Sequence, residues 1–372
     1  MAVEAPNIFV TLLAFVTLIG TLVVVHELGH YCVGRWFGVK AEKFSIGFGP
    51  QLFGWTDKRG TLWRVAALPL GGYVQFAGDM NPSSQADENW HLLPERERNQ
   101  TFQSKTLWQR ALIVFAGPAV NFLLAITILS GFLLHYGQSV NPPVVAGIQA
   151  GSTAEQIGLK EGDRILSING KQIDTFQVLA TEISIYPNEE VALQIERDGA
   201  VIEQPAKIGE LVERDNFGNE YRRGLLGLPM PPPVIREVGV LEAPVVATRE
   251  TYNIVRLTVV TLGQMIVGKR SVKDLGGPLK IAKVSGEHFV LGFAAFLWLA
   301  AMISINLGFI NLLPIPMLDG GHLLLYAIEA VRRRPATPKV QEWAFRAGFA
   351  MLLGFMLMVT FNDLASFGLF GK

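Results

Sequence analysis

Four long stretches of the chain are nearly free of charge, and polar loops separate them. A bilayer core of about 30 Å needs about 20 mostly apolar residues in a spanning helix. Residues 8 to about 37 meet that need, with no charge before Glu27. Residues 111–134 carry no charge at all, and neither do 289–318, where Pro314 and Pro316 interrupt the run. Residues 343–361 carry only Arg346. The pattern predicts four membrane helices, within residues 1–37, 107–136, 289–331 and 342–366. A fifth apolar stretch, 257–268, is too short to span. With 248–256 it reads as an amphipathic segment, inside a linker at 231–288, lying on the surface or against the bundle.

Between these spans the periodicity changes. Within the loop 38–106, residues 38–78 are rich in glycine and aromatics (Phe44, Phe48, Phe53, Trp55, Trp63, Tyr73), and TLWRVAALPL alternates. This predicts a small β-sheet dipping into the membrane interface. In 142–230, VALQIERDGA alternates as a strand ending in Asp-Gly, and Asn169-Gly170 is a hairpin turn between apolar runs. Pro142-Pro143 and the prolines of 229–233 bracket this β-rich module as linkers. The predicted fold class is therefore an α-helical membrane protein of about four transmembrane helices, with a small membrane-associated sheet and an inserted α+β domain.

Composition agrees. Half of the 372 residues are hydrophobic and 17% are charged, where a soluble chain carries about 25%. Lys+Arg and Asp+Glu balance at 32 each, which gives no footprint for a nucleic-acid partner. Cys32 is the single cysteine, excluding an intrachain disulfide or a cysteine-rich metal site. Met1 to Ala5 carry no lysine or arginine, so the first apolar run reads as a retained helix rather than a cleaved signal peptide. Loop charge sets orientation. From Arg35 to Arg110 there are ten lysines or arginines, and Arg332, Arg333, Arg334, Lys339 and Arg346 lie between or at the last two spans. Both loops are then cytoplasmic, and both termini and the 137–288 segment face outward.

The first span ends in HELGH, His26 to His30. Residues i and i+4 share a helix face, so His26 and His30 can meet one ion. Glu27 projects about 100° away, where it reaches a water on that ion rather than the ion itself. This is the HExxH pattern of two zinc ligands and a general base. Ionisable groups are costly in a membrane segment and mark function there. A catalytic zinc wants a third protein ligand and one open position. His91, His135 and His288 are at the wrong depth. His26 lies about 27 Å along the first span from Ile8, toward the cytoplasmic side. The third span returns to that depth at Asp319, in NLGFINLLPIPMLDGGH, with His322 as the competing ligand. Pro314 and Pro316 leave backbone groups unpaired, which survive at membrane depth only inside protein or beside a wet cavity. Asn306 and Asn311 can compete for a substrate's amides and carbonyls, or simply join helices.

HELGH, GPAVN (117–121) and LDGG, each in its own span, resemble the site-2 protease family of intramembrane zinc metalloproteases. FSIGFGP (44–50) is similar to that family's glycine-rich segment. The resemblance covers nearly the whole chain and points to the bacterial branch, the regulator-of-sigma-E proteases. It implies Zn2+ held by His26, His30 and Asp319, Glu27 as the catalytic glutamate, and substrate binding at Asn306 and Asn311. Asn121 can donate to the oxyanion or hold two helices together. AGSTAEQIGLKEGDRILSINGKQI (150–173) resembles a PDZ core, one such domain where the enterobacterial members carry two; a generic β-rich domain is the alternative. The implied setting is the bacterial cytoplasmic membrane, with the PDZ domain outside it. The implied partners are the lipid bilayer and single-pass membrane proteins already shortened outside it, such as an anti-sigma factor or a remnant signal peptide. A peptide held by the PDZ groove is a further one, and no nucleic acid is expected. Two rival readings are a non-catalytic PDZ scaffold, which has no use for Glu27, and an ion carrier, which needs polar groups along a whole path.

Overall fold

The computed structural model describes residues 6–79, 90–214, 220–268, 276–334 and 337–366. Met1 to Ala5, whose lack of basic residues was noted above, lie outside them. The chain forms two compact units, one of residues 1–131 with 244–372 and one of 132–243.

The first unit begins with helix α1, Ile8–Trp36, whose start is capped by Asn7 Oδ1 accepting from Val10 N at 2.9 Å. Strands β1, Ala41–Thr56, and β2, Leu62–Phe76, follow as an antiparallel pair. Asp57 builds their turn by accepting from the Arg59 and Thr61 amides and from Trp63 Nε1. Both strands double back on themselves. Residues 41–46 pair on one side with 72–76 and on the other with 62–65, which in turn pair with 53–56. Two strands thus make a four-ply sheet with 72–76 at one edge. The reversal falls at Gly47, with φ of 90°, where a Cβ would sit 2.6 Å from Leu68 O. Phe44, fully buried, stacks on Trp63 and meets Tyr31 of α1 edge-on. Helix α2, Glu95–Arg98, is one turn, and helix α3, Leu107–Tyr136, runs through Pro118. Ile113 and Val114 of α3 join Tyr31 and the sheet in one apolar cluster.

The second unit starts with β3, Gln138–Val140, then α4, Thr153–Gln156, β4, Arg164–Ile168, and β5, Lys171–Gln172. Helix α5, Phe176–Ser184, and strands β6, Glu190–Arg197, β7, Ala200–Lys207, β8, Gly209–Arg214, β9, Glu220–Leu225, and β10, Val234–Arg236, complete it. The main sheet has the order β5-β4-β6-β7, antiparallel throughout. Leu193 and Ile195 of β6, with Ile165 and Ile168 on either side of a register shift in β4, pack beneath Leu179 and Ile183 of α5. The two turns expected from sequence adopt left-handed backbone at Asn169-Gly170 and Asp198-Gly199. Buried Asp163 accepts from Arg197 at 2.7 and 2.5 Å, which holds its carboxyl below the usual carboxylate range. Strands β3 and β10 pair antiparallel, so the two ends of the module leave side by side.

The chain then returns to the first unit. Helix α6 is Ala243–Ile266, α7 Pro278–Val290, α8 Phe293–Asn311, α9 Asp319–Arg332 and α10 Pro338–Ser366. Two expectations change here. The linker at 231–288 holds α6 and most of α7, and α6 takes in the amphipathic segment as far as Ile266. The stretch 289–331, read as one interrupted span, is two helices, because the prolines end α8 and α9 restarts at Asp319. Helix α10 also caps α7: buried Asp363 accepts from the Gly277, Leu279 and Lys280 amides at 3.0–3.1 Å. Among the described residues four helices are long and apolar enough to cross a membrane: α1, α3, α8 and, in α10, residues Glu342–Ala365.

Candidate metal centre

Three side chains from two helices converge. His26 and His30 lie one turn apart on α1, with their Nε2 atoms 3.2 Å from each other. Asp319, first residue of α9, places Oδ2 at 3.2 Å from His26 Nε2 and Oδ1 at 3.5 Å from His30 Nε2. These separations match the edge of about 3.3 Å that a tetrahedral ion with bonds of about 2.0–2.1 Å demands of its ligands. Asp319 Oδ2 is buried and, apart from the His26 ring at 3.2 Å, has no hydrogen-bond partner among the described residues, so it is free to meet a cation. Two nitrogens and a carboxylate oxygen are a donor set suited to zinc. The residues therefore fit the ion, and no other histidine, cysteine, aspartate or glutamate joins the group among the described residues.

The LDGG sequence explains how the acid reaches the histidines. After α8 the backbone folds tightly, with Ile315 N donating to Leu313 O at 2.7 Å and Met317 at φ of 84°. The first turn of α9 packs straight onto this fold. A Cβ on Gly320 would lie 2.3 Å from Leu312 O, and one on Gly321 would lie 2.4 Å from Ile315 O. Only glycine fits, and Asp319 is held at a helix N-terminus, which favours its negative charge.

Two glycines absent from the sequence expectations close the other side. Gly29 of α1 faces Ala116 O, which a Cβ would approach to 2.5 Å. Gly117 of α3 faces the imidazoles, and its Cβ would sit 2.3 Å from His30 Nε2. The sequence signal was the glycine inside each motif, HELGH and GPAVN, at positions where a helix otherwise prefers alanine. Close packing brings Ile113 O to 2.9 Å from His30 Nδ1, orienting that ring. Gly117→Ala is accordingly expected to displace His30 and lower metal content by at least about tenfold. Metal analysis of the purified variant checks this, and wild-type content contradicts the packing argument.

Glu27 is buried beside the group, with the Val74 amide within hydrogen-bonding reach of its carboxylate. It lines a cavity of about 470 Å³ together with His26, His30, Gly71, Gly72, Asn311 and Asp319. The sheet edge 72–76 forms one wall. Ala77 N donates to Lys40 O while Phe76 N turns away to Asp79, so by antiparallel alternation Gly72 and Val74 also face away from β1. A Cβ on Gly72 would meet Ser45 O at 2.7 Å and Glu27 Cγ at 3.1 Å; glycine there lets the edge come this close.

The remaining expected residues divide. Asn311 lines the cavity, whereas Asn306 turns its amide back to Met302 O at 3.0 Å, within its own helix. His322 lies in the cavity wall against the Phe345 ring, outside the three-residue group. Asn121 is fully buried with its amide at 3.1 Å from His26 Nδ1. It stands behind the histidine and not at the cavity, where an oxyanion donor would have to be. His288 binds its own helix through Val284 O, and His135 packs on Tyr136.

Comparison with known proteins places these motifs in context. Residues 14–355 match peptidase family M50. A Rhizobium meliloti protein named "Putative zinc metalloprotease" is 42% identical over 369 residues, 98% of this chain and 99% of the relative. An Agrobacterium fabrum protein of the same description is 41% identical, covering 95% of both chains. The Caulobacter vibrioides metalloprotease MmpA is 38% identical over 97% of each.

Proposed function

The chain belongs to peptidase family M50, and from that premise we propose that it is a zinc endopeptidase that cuts transmembrane segments of single-pass membrane proteins. The observation that carries the reading is the group of His26, His30 and Asp319 at ligand spacing, with Glu27 beside it, the two histidines and Glu27 on the apolar helix α1 and Asp319 at the first turn of α9. Bound there, zinc lowers the pKa of a water toward about 7 and polarises a carbonyl. His26 and His30 of α1 and Asp319 of α9 would hold the ion at the wall of the cavity. Glu27 takes the proton of the attacking water at its carboxylate and delivers it to the leaving amine nitrogen. The outward groups of Gly72 and the carbonyl of Val74, whose amide meets Glu27, offer a substrate stretch a strand to pair with, holding it extended across the site. Asn311 supplies an amide that competes for the backbone groups freed when a substrate helix unwinds. Metal analysis of the purified protein, run beside cleavage of a model transmembrane peptide, tests this. A protein without zinc, or with zinc and no cleavage, contradicts it.

The proposed site is the bacterial cytoplasmic membrane, with the HELGH end of α1 near the cytoplasmic face because ten basic residues lie from Arg35 to Arg110. The proposed substrates are proteins already shortened outside, such as anti-sigma factors or remnant signal peptides. We read unit 132–243 as a PDZ domain that gates by size. Capture of a peptide by strand addition needs free amides beside α5. The chain leaving β9 runs into Pro229, Pro231, Pro232 and Pro233, which have none, and Pro231 O already accepts from Asn141. Deleting residues 144–228 should leave zinc in place, since no proposed ligand lies there, and should let untrimmed substrates be cut directly. Slower cleavage of trimmed substrate by the deletion variant would favour recruitment instead.

A further inference from the structure

The zinc reading leaves one question about its own ligands, and a buried amide answers it. An imidazole that binds a metal through Nε2 must carry its proton on Nδ1, so the group facing Nδ1 decides whether it can bind. His30 meets Ile113 O, an acceptor only, which keeps the proton on Nδ1 and leaves Nε2 its lone pair. His26 has no carbonyl partner. Its Nδ1 faces the side-chain amide of Asn121, Nδ2 at 3.1 Å, with no solvent access.

An amide nitrogen only donates. With that end presented, His26 Nδ1 accepts, and the proton sits on Nε2, directed at Asp319 Oδ2 3.2 Å away. This tautomer has no lone pair for an ion. The other end of the amide, Asn121 Oδ1, is buried and has no hydrogen-bond partner among the described residues, so no contact at Oδ1 opposes rotation of the side chain. The two ends are isosteric, and a half-turn about Cβ–Cγ exchanges them. Oδ1 then accepts from Nδ1–H of His26. The change is tautomeric: the imidazole loses a proton at Nε2, gains one at Nδ1, and keeps its net charge. Both histidines then aim lone pairs at one point. The residue itself cannot drift, because its backbone carbonyl accepts from Ser304 Oγ of α8 at 2.8 Å. That bond already joins α3 to α8, so the side chain is not needed as a tie between them.

We propose that Asn121 is the positioning residue of the metal centre, holding His26 in its metal-binding tautomer through Oδ1. The proposal rests on the zinc reading, and the test separates the two. Full-length protein in detergent is equilibrated with chelator-buffered zinc, and bound metal is measured for wild type, Asn121→Leu and Asn121→Asp. Leucine fills a similar volume without an acceptor and is expected to weaken zinc binding about 10–100-fold, as loss of an outer-shell partner does. Aspartate accepts at both ends and is expected to bind within about threefold of wild type, or more tightly. Wild-type affinity in Asn121→Leu overturns the proposal. So does a drop of about tenfold or more in Asn121→Asp, which would mean that the amide hydrogens are what the site needs. The aspartate variant, being isosteric, decides the matter even where the leucine variant does not fold. A wild-type protein that takes up no zinc at any buffered concentration overturns the zinc reading itself, and this inference with it.

Discussion

Glu27→Gln is expected to abolish cleavage while zinc content stays at the wild-type level. The substitution keeps the shape of a buried side chain that stands beside the histidines but outside the three-residue ligand group. It removes only the carboxylate that takes and returns a proton, a role worth about 100- to 10,000-fold in rate. The measurement is turnover of a transmembrane peptide alongside metal analysis of the same preparation. Cleavage near the wild-type rate would remove Glu27 from the mechanism. Loss of zinc would instead make it a ligand, against the geometry in which His26, His30 and Asp319 form the group.

The second large effect is at the proposed third ligand. Asp319→Ala is expected to lower zinc affinity more than about 100-fold, beyond what loss of an outer-shell partner costs, and to remove activity with it. His322→Ala is expected to leave zinc affinity within about twofold of wild type, because that ring lies against Phe345 in the cavity wall and not in the group. Binding curves against buffered zinc for both variants decide between them. Equal losses, or loss only in His322→Ala, would transfer the ligand role three residues along α9. Where Asp319→Ala disturbs the start of α9, Asp319→Asn keeps its shape and removes only the charge.

Much of this protein is local in origin and was therefore legible in its sequence. A spanning helix needs nothing but about 20 apolar residues in a row, so α1, α3 and α10 could be read directly. The His26–His30 pair follows from helical pitch alone. The turns at Asn169-Gly170 and Asp198-Gly199 follow from which residues tolerate positive φ. Asp319 was reached by matching depths along two spans, and its choice over His322 needed the family resemblance as well.

The rest depended on neighbours distant in the chain. Sequence could not show that α8 and α9 are separate helices whose first turn packs on the preceding fold, because Gly320 and Gly321 matter only through Leu312 O and Ile315 O. Nor could it show that β1 and β2 each double back to put 72–76 at an edge, since hydrophobic alternation is the same in a straight strand and a folded one. Gly29 and Gly117 look like weak helix formers until α1 and α3 are seen to touch there. Asn121, 95 residues from His26, gained its place behind that ring by the same contact. Local pattern specified the spanning helices, the tight turns and the side chains proposed as ligands. Close approach of backbones, where a single Cβ would not fit, decided how near those ligands come to one another.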